Sequence, residues 1–181
     1  MPNKNYSLPE DWTRYSKVGQ QVPKTRFIPF KVPLSNEILN KNSHIGSRNK
    51  FGPQDIVDSG LNIGLIIDLT NTDRYYDKSL FERNGIQHHK LRSAGHAIPN
   101  AEKVNEFNRI VDKFLSDNRH NGKLIGVHCT HGINRTGYMI CRYMIQRQGK
   151  DPKRAIADFN TARGNTLDRE TYLDDLQKAS W

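Results

Sequence analysis

The sequence predicts an α/β domain in which a central, mainly parallel sheet is flanked by helices. Two apolar runs, 64–69 and 124–128, have the continuous apolarity expected of strands buried on both faces. Between them, residues 101–117 place apolar side chains at helical spacing, as in a helix that covers a sheet. Strands that alternate with helices favour a parallel sheet covered on both faces, and the last third of the chain has helical patterns only.

Length, charge and cysteine content narrow the classes of protein. A chain of 181 residues suits one domain, and we predict an arm over 1–23, anchored by Trp12 and Tyr15, packed on a single domain over 24–181. The formal net charge of +9 indicates either anionic partners, such as phosphates and nucleic acid, or a solvated basic surface. Two cysteines are typical of a reducing compartment. No apolar run could span a bilayer, and no signal peptide is expected.

The first half of the chain gives weaker signals than the second. Residues 27–32 predict a short strand, which Pro29 and Pro33 restrict to an edge of the sheet. The polar segment 40–53 contains glycine and proline and predicts a mobile loop. The remaining predictions here are helices over 54–59 and 78–84 and a strand over 86–91.

Helix boundaries in the second half follow from capping residues. Asn100 is expected to begin the helix over 101–117, and a further helix covers 135–147. Pro after Asp suits the first turn of the next helix, and glycine suits helix ends. The predicted caps, in chain order, are Asn100, Gly149, Asp151, Gly164 and Asp168.

The stretch from His128 to Thr136 carries the chemistry. A strand leads into Cys129, five residues follow, and Arg135 and Thr136 open a helix. Such a loop can point its N–H groups at one centre and bind a phosphate, with the helix N-terminus behind it. The predicted phosphate-binding residues are Thr130, His131, Gly132, Ile133, Asn134 and Arg135.

Each remaining position has a role in phosphoryl transfer. Cys129 is the expected nucleophile, because the loop dipoles and Arg135 favour its thiolate. Arg135 can bind two phosphoryl oxygens with its planar fork. The Thr136 hydroxyl can donate to the sulfur when sulfur is the leaving group, and His128 is expected to orient the loop from behind. Cys141 is interpreted as a buried apolar residue rather than a redox partner.

The motif His-Cys-x5-Arg-Thr resembles that of the cysteine-dependent phosphatases, and HCTHGINRTGYMICRYMI is similar to the RNA 5′-triphosphatase branch of the dual-specificity superfamily. The resemblance extends from about Trp12 to Leu176. It implies the dual-specificity-like fold and removal of γ- and β-phosphates from RNA through a cysteinyl-phosphate, as in the stand-alone metazoan and baculoviral members, without metal or other cofactor. Other matching segments are Arg26–Lys31, Ile67–Asp77, Ala162–Gly164 and Arg169–Tyr172.

One departure from the protein phosphatases of this superfamily supports that branch. They place an aspartic acid in the loop that here spans 92–99, and this loop contains no carboxylate. A phosphate leaving group has a low pKa and can depart without a proton, so the loop favours phosphoanhydride cleavage. Asp68 is either a substitute catalytic residue or a support for the loop. The alternatives are a dual-specificity protein phosphatase and an inactive RNA-binding module.

The rest of the substrate needs further contacts. Arg169 matches a family position that lines the pocket, and the resemblance therefore implies a phosphate contact there. Other candidate phosphate or RNA contacts are Lys31, Arg74 and Arg92, with Tyr75 or Tyr76 stacking on a base. The expected partners are RNA 5′ tri- and diphosphate ends and ribonucleoproteins, and no membrane association is expected. We expect a monomer that is located in the nucleus, with the cytoplasm as a second compartment.

Overall fold

Four parallel strands form the central sheet of the computed structural model, which describes residues 4–179. The predicted α/β class is confirmed. The register places Asp68 opposite His128, so the carboxyl ends of the two central strands coincide. The strands, in the order β1-β4-β2-β3 across the sheet, are β1 (Phe27–Phe30), β4 (Leu124–His128), β2 (Ile63–Asp68) and β3 (Gln87–Lys90).

Helices cover both faces of this sheet. Strand side chains alternate between two cores: Leu65 and Ile67 pack against the helices that follow residue 100, and Ile66 packs against the helices within 36–83 and the arm. Within residues 4–179, no helix has the length and apolarity to cross a membrane. The helices are α1 (Asn36–Lys41), α2 (Pro53–Val57), α3 (Ser79–Arg83), α4 (Ala101–Asp117), α5 (Asn134–Gln148), α6 (Pro152–Arg163) and α7 (Glu170–Lys178).

Residues 40–53 are more ordered than the sequence predicts. Helix α1 begins at a cap, since the Ser35 hydroxyl accepts from Ile38 N at 3.3 Å, and Ile38 and Leu39 are buried. Two short 3-10 turns follow, and Phe51 packs into the same core. The prediction failed because these apolar residues are too few to produce a helical period.

Asp168 does not cap the last helix, contrary to the prediction. Arg169 occupies the N-cap position of α7 and makes no capping bond with its side chain. Asp168 instead accepts a hydrogen bond from Asn134 Nδ2 at 3.0 Å, and Asn134 Oδ1 accepts from Arg169 N at 3.0 Å. The turn before α7 is therefore fastened to the start of α5, next to Cys129.

The arm is held by buried contacts over its second half. The Trp12 indole is buried and donates to Val32 O at 2.9 Å. Ser16 accepts from Arg163 through both its hydroxyl, at 2.6 Å, and its carbonyl, at 2.9 Å. These bonds fix the arm against the end of β1 and against α6, beside the carboxyl edge of the sheet.

Candidate active site

The phosphate-binding loop, residues 129–135, joins β4 to α5 and surrounds a cavity of about 410 Å³. We call it the Cys129 cavity, because the buried Cys129 is part of its lining. Gly132 is the one predicted phosphate-binding residue that does not line it. The other lining residues are Tyr15, Gly95, His96, Thr130, His131, Ile133, Asn134, Arg135, Asn165, Thr166, Asp168 and Arg169.

The pKa of the Cys129 thiol is lowered. Burial alone would raise it, but the positive charge of Arg135 outweighs that effect, together with the Thr136 hydroxyl and the N–H groups of Thr136 and Gly132. The buried Thr136 hydroxyl has no oxygen or nitrogen partner in the described chain, which leaves it free for the sulfur. The loop therefore favours the thiolate, the nucleophilic form of cysteine.

Arg135 is held where the strands end. Its Nη1 donates to Ser93 O at 2.9 Å and to Leu69 O at 3.3 Å, and its Nη2 donates to Thr130 Oγ1 at 3.1 Å. Leu69 follows β2 and Ser93 follows β3, so the sheet itself positions the guanidinium. The position suits a cation that binds phosphoryl oxygens above Cys129.

Arg163 holds the loop from outside, and the sequence had not assigned it a role. This buried guanidinium donates through Nε to Gly132 O and through Nη2 to His131 O, each at 2.9 Å. Because these loop carbonyls point outward, the loop N–H groups are free to point inward. Burial lowers the pKa of Arg163 to about 10, so it remains charged at neutral pH. In the sequence, the one signal that could have indicated a role for Arg163 was the similarity of Ala162–Gly164 to the family.

A buried network lies behind the loop. His128 Nδ1 donates to Cys129 O at 3.0 Å, since a carbonyl can only accept. His128 Nε2 then accepts from the Tyr76 hydroxyl at 2.8 Å. Burial lowers the pKa of His128, so the ring is neutral. Its contact with the loop is through the Cys129 carbonyl rather than through the thiol.

Asp68 belongs to this network and does not line the Cys129 cavity. It accepts from Thr70 Oγ1 at 2.6 Å and from Lys90 Nζ at 3.0 Å, and the Tyr76 hydroxyl oxygen lies 3.3 Å from the carboxylate. Burial would raise its pKa, but the nearby charges and these donors outweigh burial, and the pKa is lowered. An ionised carboxylate surrounded by donors has no proton to give. Of the two roles left open for Asp68, this geometry favours support of the loop.

The structure does not place Lys31, a predicted substrate contact, at the Cys129 cavity. Its ammonium donates to Trp12 O and Tyr15 O, both at 2.9 Å, and lies 3.9 Å from the centre of the Trp12 ring. The side chain is buried, and burial lowers its pKa to about 8. Lys31 therefore joins β1 to the arm.

Arg74 and Arg92 also lie outside the Cys129 cavity. Arg74 Nη1 donates to Ser7 O at 2.8 Å and to Asn5 O at 3.3 Å. Arg92 is exposed and forms an ion pair with Asp73. Both line a second cavity, beside the first residues of the described arm. The structure therefore does not bring these two cations together with Cys129.

The predicted base-stacking tyrosines are not available to a ligand of Cys129. Tyr75 is 8% exposed, and the Arg74 guanidinium lies 4.5 Å from the centre of its ring. Tyr76 contacts His88 and His128 through its hydroxyl, each at 2.8 Å. Tyr15, which we predicted from the sequence to anchor the arm to the domain, is the tyrosine that lines the Cys129 cavity.

Arg169 is the one cation of the four predicted contacts that lines the Cys129 cavity. It donates to Gly95 O and lies 4.8 Å from the centre of the Tyr172 ring. Tyr172 in turn donates to Ala97 O at 2.8 Å. Two side chains of the α7 region thereby hold the loop over 93–99 at the cavity.

A parallel sheet, a phosphate-binding loop after a central strand and a thiolate-favouring cysteine six residues before an arginine define a cysteine-dependent phosphatase. The chain belongs to the dual specificity phosphatase family, whose catalytic-domain model matches residues 45–180. It is 44% identical over 174 residues to the human RNA/RNP complex-1-interacting phosphatase, covering 94% of this chain and 52% of that one. The chain thus spans about half the length of this relative.

A viral relative and a solved structure complete the comparison. The tyrosine-protein phosphatase of Autographa californica nuclear polyhedrosis virus is 40% identical over 170 residues, covering 93% of this chain and 98% of that one. The crystal structure of PTPMT1 superposes with a TM-score of 0.63 at 17% identity, covering 89% of this chain and 92% of that one. The structural likeness supports the fold alone.

Proposed function

We propose that the protein removes γ- and β-phosphates from the 5′ ends of RNA. The observation that carries the proposal is the loop over 93–99, which borders the Cys129 cavity and contains no carboxylate. Asp168 is the one carboxylate among the described lining residues, and it accepts from Asn134. A phosphate leaving group needs no proton donor at this position, whereas a seryl or tyrosyl group does.

The reaction has two steps. The Cys129 thiolate attacks the terminal phosphorus, a sulfur–phosphorus bond forms, and the bridging oxygen leaves with its electron pair on the shortened RNA end. Water then attacks the cysteinyl-phosphate, and sulfur departs as the thiolate while the Thr136 hydroxyl donates to it. Arg135 and the loop N–H groups supply the positive charge, so the reaction is proposed to need no metal.

The wider setting is part of the same proposal. The human relative's name refers to an RNA/RNP complex, and this chain has a net charge of +9, which favours polyanionic partners. We therefore include RNA 5′ ends as substrate, ribonucleoproteins as partners, a nuclear location with the cytoplasm as second compartment, and a monomeric state. Arg169 is the proposed contact to the remaining phosphates.

A dual-specificity protein phosphatase is the second candidate, because the viral relative is named a tyrosine-protein phosphatase. The deciding experiment uses RNA labelled at the γ- or β-phosphate, with products separated by thin-layer chromatography, beside a phosphotyrosyl peptide. We expect phosphate release from RNA that persists in EDTA and is abolished by Cys129→Ser. Cys141→Ala is the matched control, since Cys141 is buried away from the cavity and burial raises its pKa. Faster turnover of the peptide, or loss of RNA turnover in EDTA, would refute the proposal.

A further inference from the structure

We propose that Tyr15, in the N-terminal arm, is the platform on which the first base of the RNA stacks. This inference rests on the proposed function and extends it from the phosphates to the nucleoside. Tyr15 is the only tryptophan, tyrosine or phenylalanine among the described residues that line the Cys129 cavity. Stacking on an aromatic ring is the usual way in which proteins bind an unpaired base without selecting its sequence.

The ring of Tyr15 belongs to one wall of the cavity. It contacts the ring of His131, with centroids 5.0 Å apart and planes at 48°. His131 Nε2 donates to Glu10 O of the arm at 2.6 Å, so its ring is fixed as well. Arg169 and the 93–99 loop contact each other and form another part of the lining. The cavity thus combines an aromatic wall with cations suited to phosphates.

The backbone of Tyr15 is fixed before any ligand arrives. Its carbonyl accepts from buried Lys31, and the next residue, Ser16, accepts two bonds from buried Arg163. Trp12, three residues earlier, is 1% exposed. Because the backbone at Tyr15 is already ordered, stacking of a base on its ring costs little backbone entropy, which favours binding.

The location of Tyr15 in the chain separates it from the catalytic residues. The dual specificity phosphatase family model matches residues 45–180, which contain Cys129 and Arg135 but not Tyr15. The human RNA/RNP complex-1-interacting phosphatase instead matches 94% of the chain, so the similarity extends well before residue 45. The phosphate chemistry therefore lies in the shared domain, and the aromatic wall comes from a segment outside it.

The test compares Tyr15→Ala and Tyr15→Phe on two substrates, triphosphate RNA and inorganic tripolyphosphate, which has no base. Stacking predicts that Tyr15→Ala raises KM for the RNA roughly tenfold with kcat nearly unchanged, that the rise in KM is much smaller for tripolyphosphate, and that Tyr15→Phe retains the wild-type KM for RNA. Arg169→Ala should weaken both substrates. Tyr6→Ala is the matched control, because Tyr6 is an aromatic residue of the arm that does not line the Cys129 cavity.

Each outcome decides the matter. An equal loss of both substrates in Tyr15→Ala would make Tyr15 a support for the loop and overturn the inference, as would no change with either. Wild-type protein that releases no phosphate from RNA but dephosphorylates the peptide would overturn the proposed function and the inference with it. If the wild-type protein releases phosphate from RNA, but Tyr15→Ala has the wild-type ratio of KM for RNA to KM for tripolyphosphate, the inference alone would be overturned.

Discussion

Replacing Gly132 by alanine should damage the phosphate-binding loop far more than a glycine substitution normally does. Gly132 has a φ of +71°, in the left-handed region that favours glycine. A Cβ atom there would overlap the carbonyl oxygen of Phe30 and lie 2.5 Å from its carbonyl carbon and 2.9 Å from Lys31 N. All three atoms are backbone at the end of β1, so no side-chain rotation can relieve the overlap.

Gly122 provides the control that separates left-handed backbone strain from the steric overlap of the added Cβ atom. Its φ is +67°, and a Cβ atom there would meet nothing within 4 Å. Gly122→Ala should therefore cost only the left-handed strain, about 1–2 kcal/mol. Gly132→Ala adds the cost of overpacking, about 1–3 kcal/mol. For a chain of this size, the additional cost corresponds to a further fall in Tm of about 2–12 °C.

Two measurements test this difference. Thermal or urea unfolding gives the stability of the two variants, and the rate of thiol alkylation against pH gives the pKa of Cys129. The Gly132 N–H helps to lower that pKa, so Gly132→Ala should raise it and Gly122→Ala should not. If the two variants were equally stable and equally reactive, the close approach of the loop to β1 would not exist as described.

Two further predictions concern the thiol and the buried network. Thr136→Val removes a hydroxyl that lowers the pKa of Cys129, so the acid limb of the pH–rate profile should move to higher pH; an unmoved limb would show that the hydroxyl does not act on the sulfur. The pKa of Asp68 in the folded protein lies below the usual value of an aspartate, about 3.9, so its stabilising contribution is fully present above that pH and is lost as pH falls through the folded pKa. Asp68→Asn should therefore reduce the acid-dependent loss of unfolding free energy, measured by urea unfolding between about pH 5 and 2; wild-type slopes in the variant would contradict the assignment.

Local sequence was enough to predict the strand, loop and helix at the centre of the candidate site. Cys129 and Arg135 are six residues apart, and the strand and helix that hold them have strong apolar patterns, so the loop could be predicted without tertiary contacts. Helix α4 has the predicted bounds for the same reason. Helix α1 escaped prediction because a six-residue helix shows too little periodicity and depends on burial of Ile38 and Leu39.

The hydrogen-bond partners of the lysine and arginine side chains could not be predicted from local sequence. Lys31 and Arg74 bind backbone carbonyls of the arm, and Arg163 binds carbonyls of both the loop and the arm. Each contact joins residues far apart in sequence, and a carbonyl acceptor leaves no mark in the side-chain pattern. A basic composition was compatible with anionic partners or with a solvated basic surface, and it could not distinguish cations that face a ligand from cations that hold the fold together.

Those buried cations also determine how the arm can be studied. Arg163 contacts Gly132 O of the loop and Ser16 of the arm, and Lys31, the residue after β1, contacts two carbonyls of the arm. Removing the arm would take away the Trp12 and Tyr15 carbonyls that bind Lys31 and the Ser16 groups that bind Arg163. Truncation would consequently disturb the carbonyls that orient the loop, and lost activity would not separate RNA binding from catalysis. Substitution of Tyr15 leaves its backbone carbonyl in place for Lys31, and therefore changes the aromatic wall while keeping the bonds that position Cys129.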